Sequence, residues 1–253
     1  MKTLKTSKHL RGWIPDFPDH RDFLYAAIRP AGVRLPKSVD LRAGMSPVEN
    51  QGQLGSCTAN ALAGALEFLE IKSGKSLVDL SRLFIYYNER AIEHTVGSDS
   101  GAMIRDGIKT LAAQGVCPEN NWPYVISAFA KKPSATCYTA AKKHTISTYH
   151  RLTSLADMRA CLVDGYPFVF GFSVYESFES ASVARTGVVN LPKRTERQIG
   201  GHAVCAAGYD DASKRVLVRN SWGPGWGQKG YFTMPYDYVA DRNLSDDFWT
   251  VRS

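Results

Sequence analysis

What the chain lacks narrows it quickly. It has only five cysteines in 253 residues. They are too sparse for a small disulfide-stapled scaffold, and an odd number cannot all pair within one chain. No apolar run approaches ~18 residues, so no transmembrane helix is expected. Met1–Lys5 is basic, but no apolar stretch follows it, so no secretory signal is visible and the compartment stays open. Charge of one sign is scarce too: 31 Lys+Arg against 24 Asp+Glu leaves +7, with the cations scattered. The doublets Lys131-Lys132 and Lys142-Lys143 do not make the dense stripe that nucleic acid requires. No Cys/His spacing suits zinc. The turn glycines Gly223, Gly225 and Gly227 lack the strand-to-helix setting of a nucleotide site. No cofactor, metal, nucleic-acid or membrane partner is expected, and the chain is expected to act as a monomer.

What remains is an ordinary globular composition, 44% hydrophobic and 22% charged, at a length that fits one large domain or two closely packed lobes. Residues 1–34 stand apart. Pro15, Pro18 and Pro30 alternate with Asp16, Asp19 and Asp22, and Trp13, Ile14, Phe17 and Phe23 form no helical stripe. This predicts an extended arm lying on a surface that buries its aromatics.

From Ser56 to about Ser73, Leu62, Ala65, Leu66 and Leu69 recur at helical spacing, with Gly74 as a stop. Asp79 or Ser81 caps a second predicted helix, and a third runs from about Met103 to Ala113. Residues 120–150 read as turns. After a helix at 154–163, short β-rich runs follow at 168–174, 203–209, 216–219 and 231–234. Helices first and strands second predict an α+β fold of two lobes: a helical lobe at about 35–150 and a β-rich lobe at about 151–253, with the site between them.

The chemistry concentrates in three places. In Gln51-Gly52-Gln53-Leu54-Gly55-Ser56-Cys57, a cysteine sits where a glycine-containing loop turns into a helix. Unpaired N–H groups at a helix start favour thiolate over thiol. His202 opens the apolar run Gly201-His202-Ala203-Val204, and Asn220 opens Asn220-Ser221-Trp222-Gly223. An imidazole holds a thiolate as an ion pair and later protonates a leaving amine, and an Asn carbonyl orients the imidazole. Taken alone, Cys57 reads as a small core residue; in company with Gln51, His202 and Asn220 it reads as a nucleophile. Cys161 and Cys205 read as buried free thiols. Cys117 and Cys137 flank a turn-rich loop, and their pairing stays open.

These stretches, in this order, resemble the papain family of cysteine peptidases, whose motifs are Gln-Gly-x-x-Gly-Ser-Cys, His-Ala-Val and Asn-Ser-Trp-Gly. Leu35-Pro36-Lys37-Ser38-Val39-Asp40 looks like the start of a mature member, so the resemblance covers about residues 35–235. The arm and Val116-Cys117-Pro118-Glu119 look like the compact bacterial branch. The resemblance implies an endopeptidase acting on polypeptides. Cys57 would be the nucleophile, His202 the general base and acid, Asn220 its orienter, and Gln51 an oxyanion donor beside the Cys57 N–H. Trp222 would shield the His202–Asn220 bond, and Gly101, Ala102 and Gly201 would meet substrate backbone. The arm stands where relatives carry an inhibitory pro-region, and would either lie in the cleft as a zymogen-like cover or pack on the back of a lobe as a brace.

Some positions depart from the pattern. Leu54 replaces the usual disulfide cysteine, Thr58 the usual Trp, Ala102 a glycine, and Gly201 an Asp of many plant members. A non-catalytic relative and a deconjugating or transamidating enzyme are the competing functions; retention of Cys57 and His202 argues against the first, and the Gln51 and Asn220 contexts against the second.

Overall fold

The computed structural model describes residues 12–29 and 34–253. Met1–Lys5, His9 and Pro30 lie outside them. Helices gather first. α1 (Cys57–Lys72) is buried from Cys57 to Glu70, on every face rather than along the stripe its leucines suggest. α2 (Arg82–Ile92) starts at Ser81, whose hydroxyl accepts the Phe84 N–H and so satisfies one orphan donor of the first turn. α3 (Ile104–Ala113) follows. These three pack through Leu62, Leu66, Leu83, Phe84, Ile104 and Ile108 into one apolar core.

A largely antiparallel sheet forms the second lobe. Its strands are β1 (Ser38–Asp40), β2 (Thr148–Arg151), β3 (Phe168–Tyr175), β4 (Gln198–Asp210), β5 (Arg215–Arg219), β6 (Tyr231–Pro235) and β7 (Ser245–Arg252). The order is β2-β7-β3-β4-β5-β6, with β1 alongside β4. Its core holds Phe168, Phe170, Phe172, Val204, Phe232 and Phe248. β3 reads as a continuous apolar run because all of Phe168–Val174 is buried.

Several elements went unforeseen. α4 (Ala135–Ala141) lies in the block read as turns. α6 (Ala181–Thr186) and α7 (Tyr236–Ala240) are likewise short. β7 was missed because Phe248, Trp249, Thr250 and Val251 are all buried, which removes the period-two signal. The remaining helix, α5 (Leu155–Val163), falls within the expected 154–163, with Ser154 as its cap rather than its first residue.

The arm runs from Gly12 without helix or strand, turns at residues 19–22, where the Asp22 N–H donates to the Asp19 carbonyl at 3.2 Å, and then makes a short 3-10 turn at Tyr25–Ala27. The expectation that it buries its aromatics holds only in part. Tyr25 is 1% exposed, but Phe17 and Phe23 are 72% and 65% exposed. The grip there comes from polar groups instead. Arg105 donates to the Phe17 carbonyl at 2.6 Å, Arg151 N–H to the Phe23 carbonyl at 2.7 Å, and the Tyr25 hydroxyl to Asp164.

Candidate active site

Cys57 is the first residue of α1, and its Sγ meets β4 of the other lobe, accepting the Ala203 N–H at 3.3 Å. His202 precedes Ala203 on β4 and pairs in register with Phe172 of β3. Its Nε2 lies 2.8 Å from Asn220 Oδ1. That oxygen also accepts the Ser221 N–H at 2.9 Å, which fixes the amide's orientation. Asn220 Oδ1 can only accept, so Nε2 carries a hydrogen and Nδ1 is the nitrogen that exchanges a proton. The Trp222 ring centroid is 5.1 Å from the imidazole, and Phe172 and Phe178 close the other sides at 5.8 and 6.4 Å. His202, Asn220 and Trp222 are all buried.

The loop before Cys57 is held by its own polar groups. Gln51 Nε2 donates to the Leu54 carbonyl at 2.9 Å, and Gln51 Oε1 accepts the Ser221 hydroxyl at 2.6 Å. The Gln51 amide is thereby oriented between the two lobes. Asp99 accepts the Gly55 N–H with both oxygens and takes the Tyr86 hydroxyl as well. Tyr124 donates to the Gln51 carbonyl at 2.9 Å and bonds Ser56 Oγ at 2.5 Å.

The arm lies over this site. Gly12 N–H donates to Cys57 Sγ. The Ala102 N–H donates to the Gly12 carbonyl at 2.7 Å, and the Ile14 N–H to the Ala102 carbonyl at 3.0 Å, a parallel bridge. The Trp13 N–H reaches the Gly201 carbonyl at 3.3 Å. Four glycines make this approach possible. A Cβ on Gly12 would overlap the Gly55 carbonyl, and one on Gly101, whose φ is +76°, would overlap the Gly12 carbonyl. A Cβ on Gly171 or Gly201 would run into the Trp13 indole. So Gly101, Ala102 and Gly201, expected to meet substrate backbone, here meet the arm's backbone.

In this arm-seated form burial raises the Cys57 thiol to about 11, against the lowering effect of the Ala203, Gly12 and Thr58 N–H groups. Helix-terminus charge is worth only ~0.3–1 kcal/mol at ordinary exposure. Cys57 is 0% exposed, and desolvation of the anion outweighs that. Cys161 and Cys205 are buried free thiols, as read from the sequence; Cys117 and Cys137 are also free and buried.

Comparison with known proteins decides the family. Residues 35–247 match the model described as papain family cysteine protease. The chain belongs to that family. The crystal structure of xylellain, a cysteine protease from Xylella fastidiosa, superposes with a TM-score of 0.90 at 45% identity, covering 100% of this chain and 98% of that one. An uncharacterized peptidase C1-like protein, L477, of Acanthamoeba polyphaga mimivirus is 45% identical over 268 residues, 95% of this chain and 86% of the relative. Cathepsin L2 of Homo sapiens is 30% identical over 217 residues, 82% of this chain and 63% of that protein. The two-lobed α+β fold is therefore the papain-like one, and the chain is a papain-like cysteine peptidase.

Sequence reasoning missed several groups around the peptidase's cleft. Asp247 of β7 is 1% exposed and accepts the Trp13 indole N–H at 3.0 Å. Glu89 of α2 is fully buried behind α1, where it accepts the Thr58 hydroxyl at 2.6 Å, and burial pushes its carboxyl well above the usual range. The residue that departs from the family's Trp thus anchors the helix start to α2. Neither acid belongs to a local motif. Each sits beside other polar or charged residues, Glu89 between Asn88 and Arg90 and Asp247 after Asp246, so nothing local marked it out.

Proposed function

We propose that this peptidase hydrolyses peptide bonds through a Cys57 thiolate–His202 imidazolium pair, and that residues 12–14 of its own arm keep the cleft shut until they are displaced. The observation that carries the reading is the His202 Nε2–Asn220 Oδ1 contact of 2.8 Å beside a cysteine sulfur that touches the residue after that histidine. In the open form the Cys57 proton passes to His202 Nδ1, and Sγ adds to the scissile carbonyl carbon. The oxyanion is met by the Gln51 amide and the Cys57 N–H. The imidazolium protonates the departing amine, leaving a thioester. Water then attacks the thioester while His202 takes its proton, and the released sulfur recovers it. Trp222 keeps water from the His202–Asn220 bond.

The arm is a poor substrate for the site it covers. It offers Cys57 an N–H rather than a carbonyl carbon, and its Gly12 carbonyl is already held by Ala102. This supports a cover that survives its own enzyme. A tethered segment also competes at an effective concentration of ~mM. The chain then works as a monomer with its own arm as the internal competitor of polypeptide substrate. The test is hydrolysis of a denatured generic protein by the whole chain and by a chain lacking residues 1–30, each with and without iodoacetamide. The reading requires activity that alkylation of Cys57 abolishes, and a higher kcat/KM, chiefly through KM, after deletion. Alkylation on Cys205 or Cys161 with activity lost would move the nucleophile elsewhere. Equal kinetics for the two chains would reduce the arm to a brace.

A further inference from the structure

The arm's hold on the body is electrostatically lopsided. Between Trp13 and Asp22 it inserts two carboxylates, Asp16 and Asp22, into a site that already contains Asp246 and Asp247 of β7. The cations facing them are Arg105 of α3 and Arg151 of β2; Arg242 reaches only the outer Asp246, at 2.5 Å. Arg105 grips Asp22 with two bonds of 2.6 and 3.0 Å. Arg151 reaches Asp247 at 2.8 Å, Asp246 at 3.1 Å and Asp22 at 3.3 Å, but Asp16 only at 3.7 Å. Asp16 has a side chain with 0% exposure, and its donors are neutral: the Arg105 backbone N–H at 3.1 Å and the Trp249 indole at 2.9 Å. Asp247 beside it accepts the Asp16 N–H at 2.8 Å and the Trp13 indole at 3.0 Å on the same oxygen. Asp16, Asp22 and Asp247 thus share two well-placed guanidiniums in a buried seat, with Asp246 and Arg242 at its rim.

We propose that Asp16 and Asp247 form a proton-operated latch: one proton held by the pair seats the arm across the cleft, and its loss on moving from acid towards neutral pH loosens the arm. The proposal rests on the covering role argued above and gives it a trigger. Two buried carboxyls with one adequate counter-charge between them cannot both ionise cheaply, and the proton belongs to the pair. Burial, and then the charge of Asp247, lift Asp16 to about 7, from an ordinary 3.8; Asp247 is raised too, first by burial. With the arm displaced, Asp16 returns to water. Seating therefore takes up a proton between these two values. Its stabilisation is fully present below the ordinary carboxylate value and is lost as pH rises through the seated one. The seating constant should fall by up to ~tenfold per pH unit between about 4 and about 7, then level off.

Alkylation of Cys57 by iodoacetamide reads this directly, because a sulfur with 0% exposure reacts only when uncovered. The reference is the full chain carrying Gly12→Val and Trp13→Ala. In that variant the valine collides with the Gly55 carbonyl and the indole plug is gone, so the cleft stays open. The ratio of reference to wild-type rate reports how firmly the arm sits, and the thiol's own titration cancels. The latch requires that ratio to fall by ~tenfold or more from pH 5 to pH 7.5 in wild type. In Asp16→Asn and in Asp16→Ala it should stay within about threefold over the same range, whatever its level, because Asp247, left alone with Arg151 at 2.8 Å, can stay ionised while the arm seats. A ratio above one that does not change with pH, or Asp16 variants that follow the wild-type curve, would overturn the latch and leave the cover standing. A ratio of one at every pH would remove the cover itself, and the latch with it.

Discussion

The helical lobe and the sheet lobe each present one reactive side chain, and they hold it by different means. His202 sits inside β4, hydrogen-bonded to β3 on one side and flanked by β1 and β5 further along, within a cage of Phe172, Phe178 and Trp222. Backbone ladders and rings fix it, and those are rigid and insensitive to pH. Cys57 sits at a helix end steadied by polar side chains: Thr58 on Glu89, Asn60 on the Ser56 carbonyl, and Glu67 on Ser46 and the Leu80 N–H. The cysteine side can be tuned by protons and by the arm, whereas the histidine side serves as the fixed reference.

The sharpest way to break this contrast is Cys57→Ala. It should abolish hydrolysis, by ~10⁴-fold or more. Folding should be nearly untouched, because a small thiol at a helix start fills little volume. Activity within tenfold of wild type, with the melting temperature unchanged, would mean that the helical lobe does not supply the nucleophile.

Next in size is Gln51→Ala, expected to lower kcat by ~10²–10³ with little change in KM, since the amide matters once the oxyanion forms. Loss confined to KM would make Gln51 a binding residue. It bridges Leu54 and Ser221, so a drop in melting temperature alone would make it a strut between lobes.

Smaller, and directed at the tunable side, is the pH dependence of alkylation. Burial beneath the arm holds the Cys57 thiol at about 11, so the seated form needs alkaline pH to ionise. Removing residues 1–30 should let water and His202 reach the sulfur and move the rise in alkylation rate to lower pH, by ~2 units or more if the ion pair forms. The measurement is the iodoacetamide rate against pH for both chains. A midpoint that stays put would show that the arm is not what suppresses the thiolate.

How much of this was legible depended on whether the chemistry was local. The segment Gln51–Cys57 could be read because a loop-to-helix turn, its glycines and its cysteine are contiguous, and His202 and Asn220 each open a short motif of fixed composition. The sheet lobe's strands 168–174 and 216–219 were visible as β-rich runs between turn residues. The arm seat was not. Asp16, Arg105, Arg151 and Asp247 come from four distant parts of the chain, and each alone is an ordinary charged residue. Their meaning lies in sharing a buried site, which neither periodicity nor spacing encodes. The burial of the thiol was not legible for a related reason: the helix start is local and readable, but the arm that covers it arrives from elsewhere.

The smallest expected effect concerns Glu89, the acid behind the helix start. It is 0% exposed and its carboxyl is raised well above the ordinary range, chiefly by burial, which favours the uncharged form bonded to Thr58. Glu89→Gln replaces that acid with a neutral isostere that can still accept the Thr58 hydroxyl. It should cost ~1 kcal/mol or less at pH 6, within a few degrees of melting temperature. The pH dependence separates the two chains more clearly. A carboxyl raised in the folded state contributes stability that is fully present below its unfolded value and is lost as pH rises through the folded one. Wild type should therefore lose melting temperature towards alkaline pH by a margin that Glu89→Gln does not share. Thermal melts of both proteins from pH 5 to pH 9 decide it. Parallel curves would mean that Glu89 is ionised throughout, and that the acid behind the helix start does not tune the helical lobe.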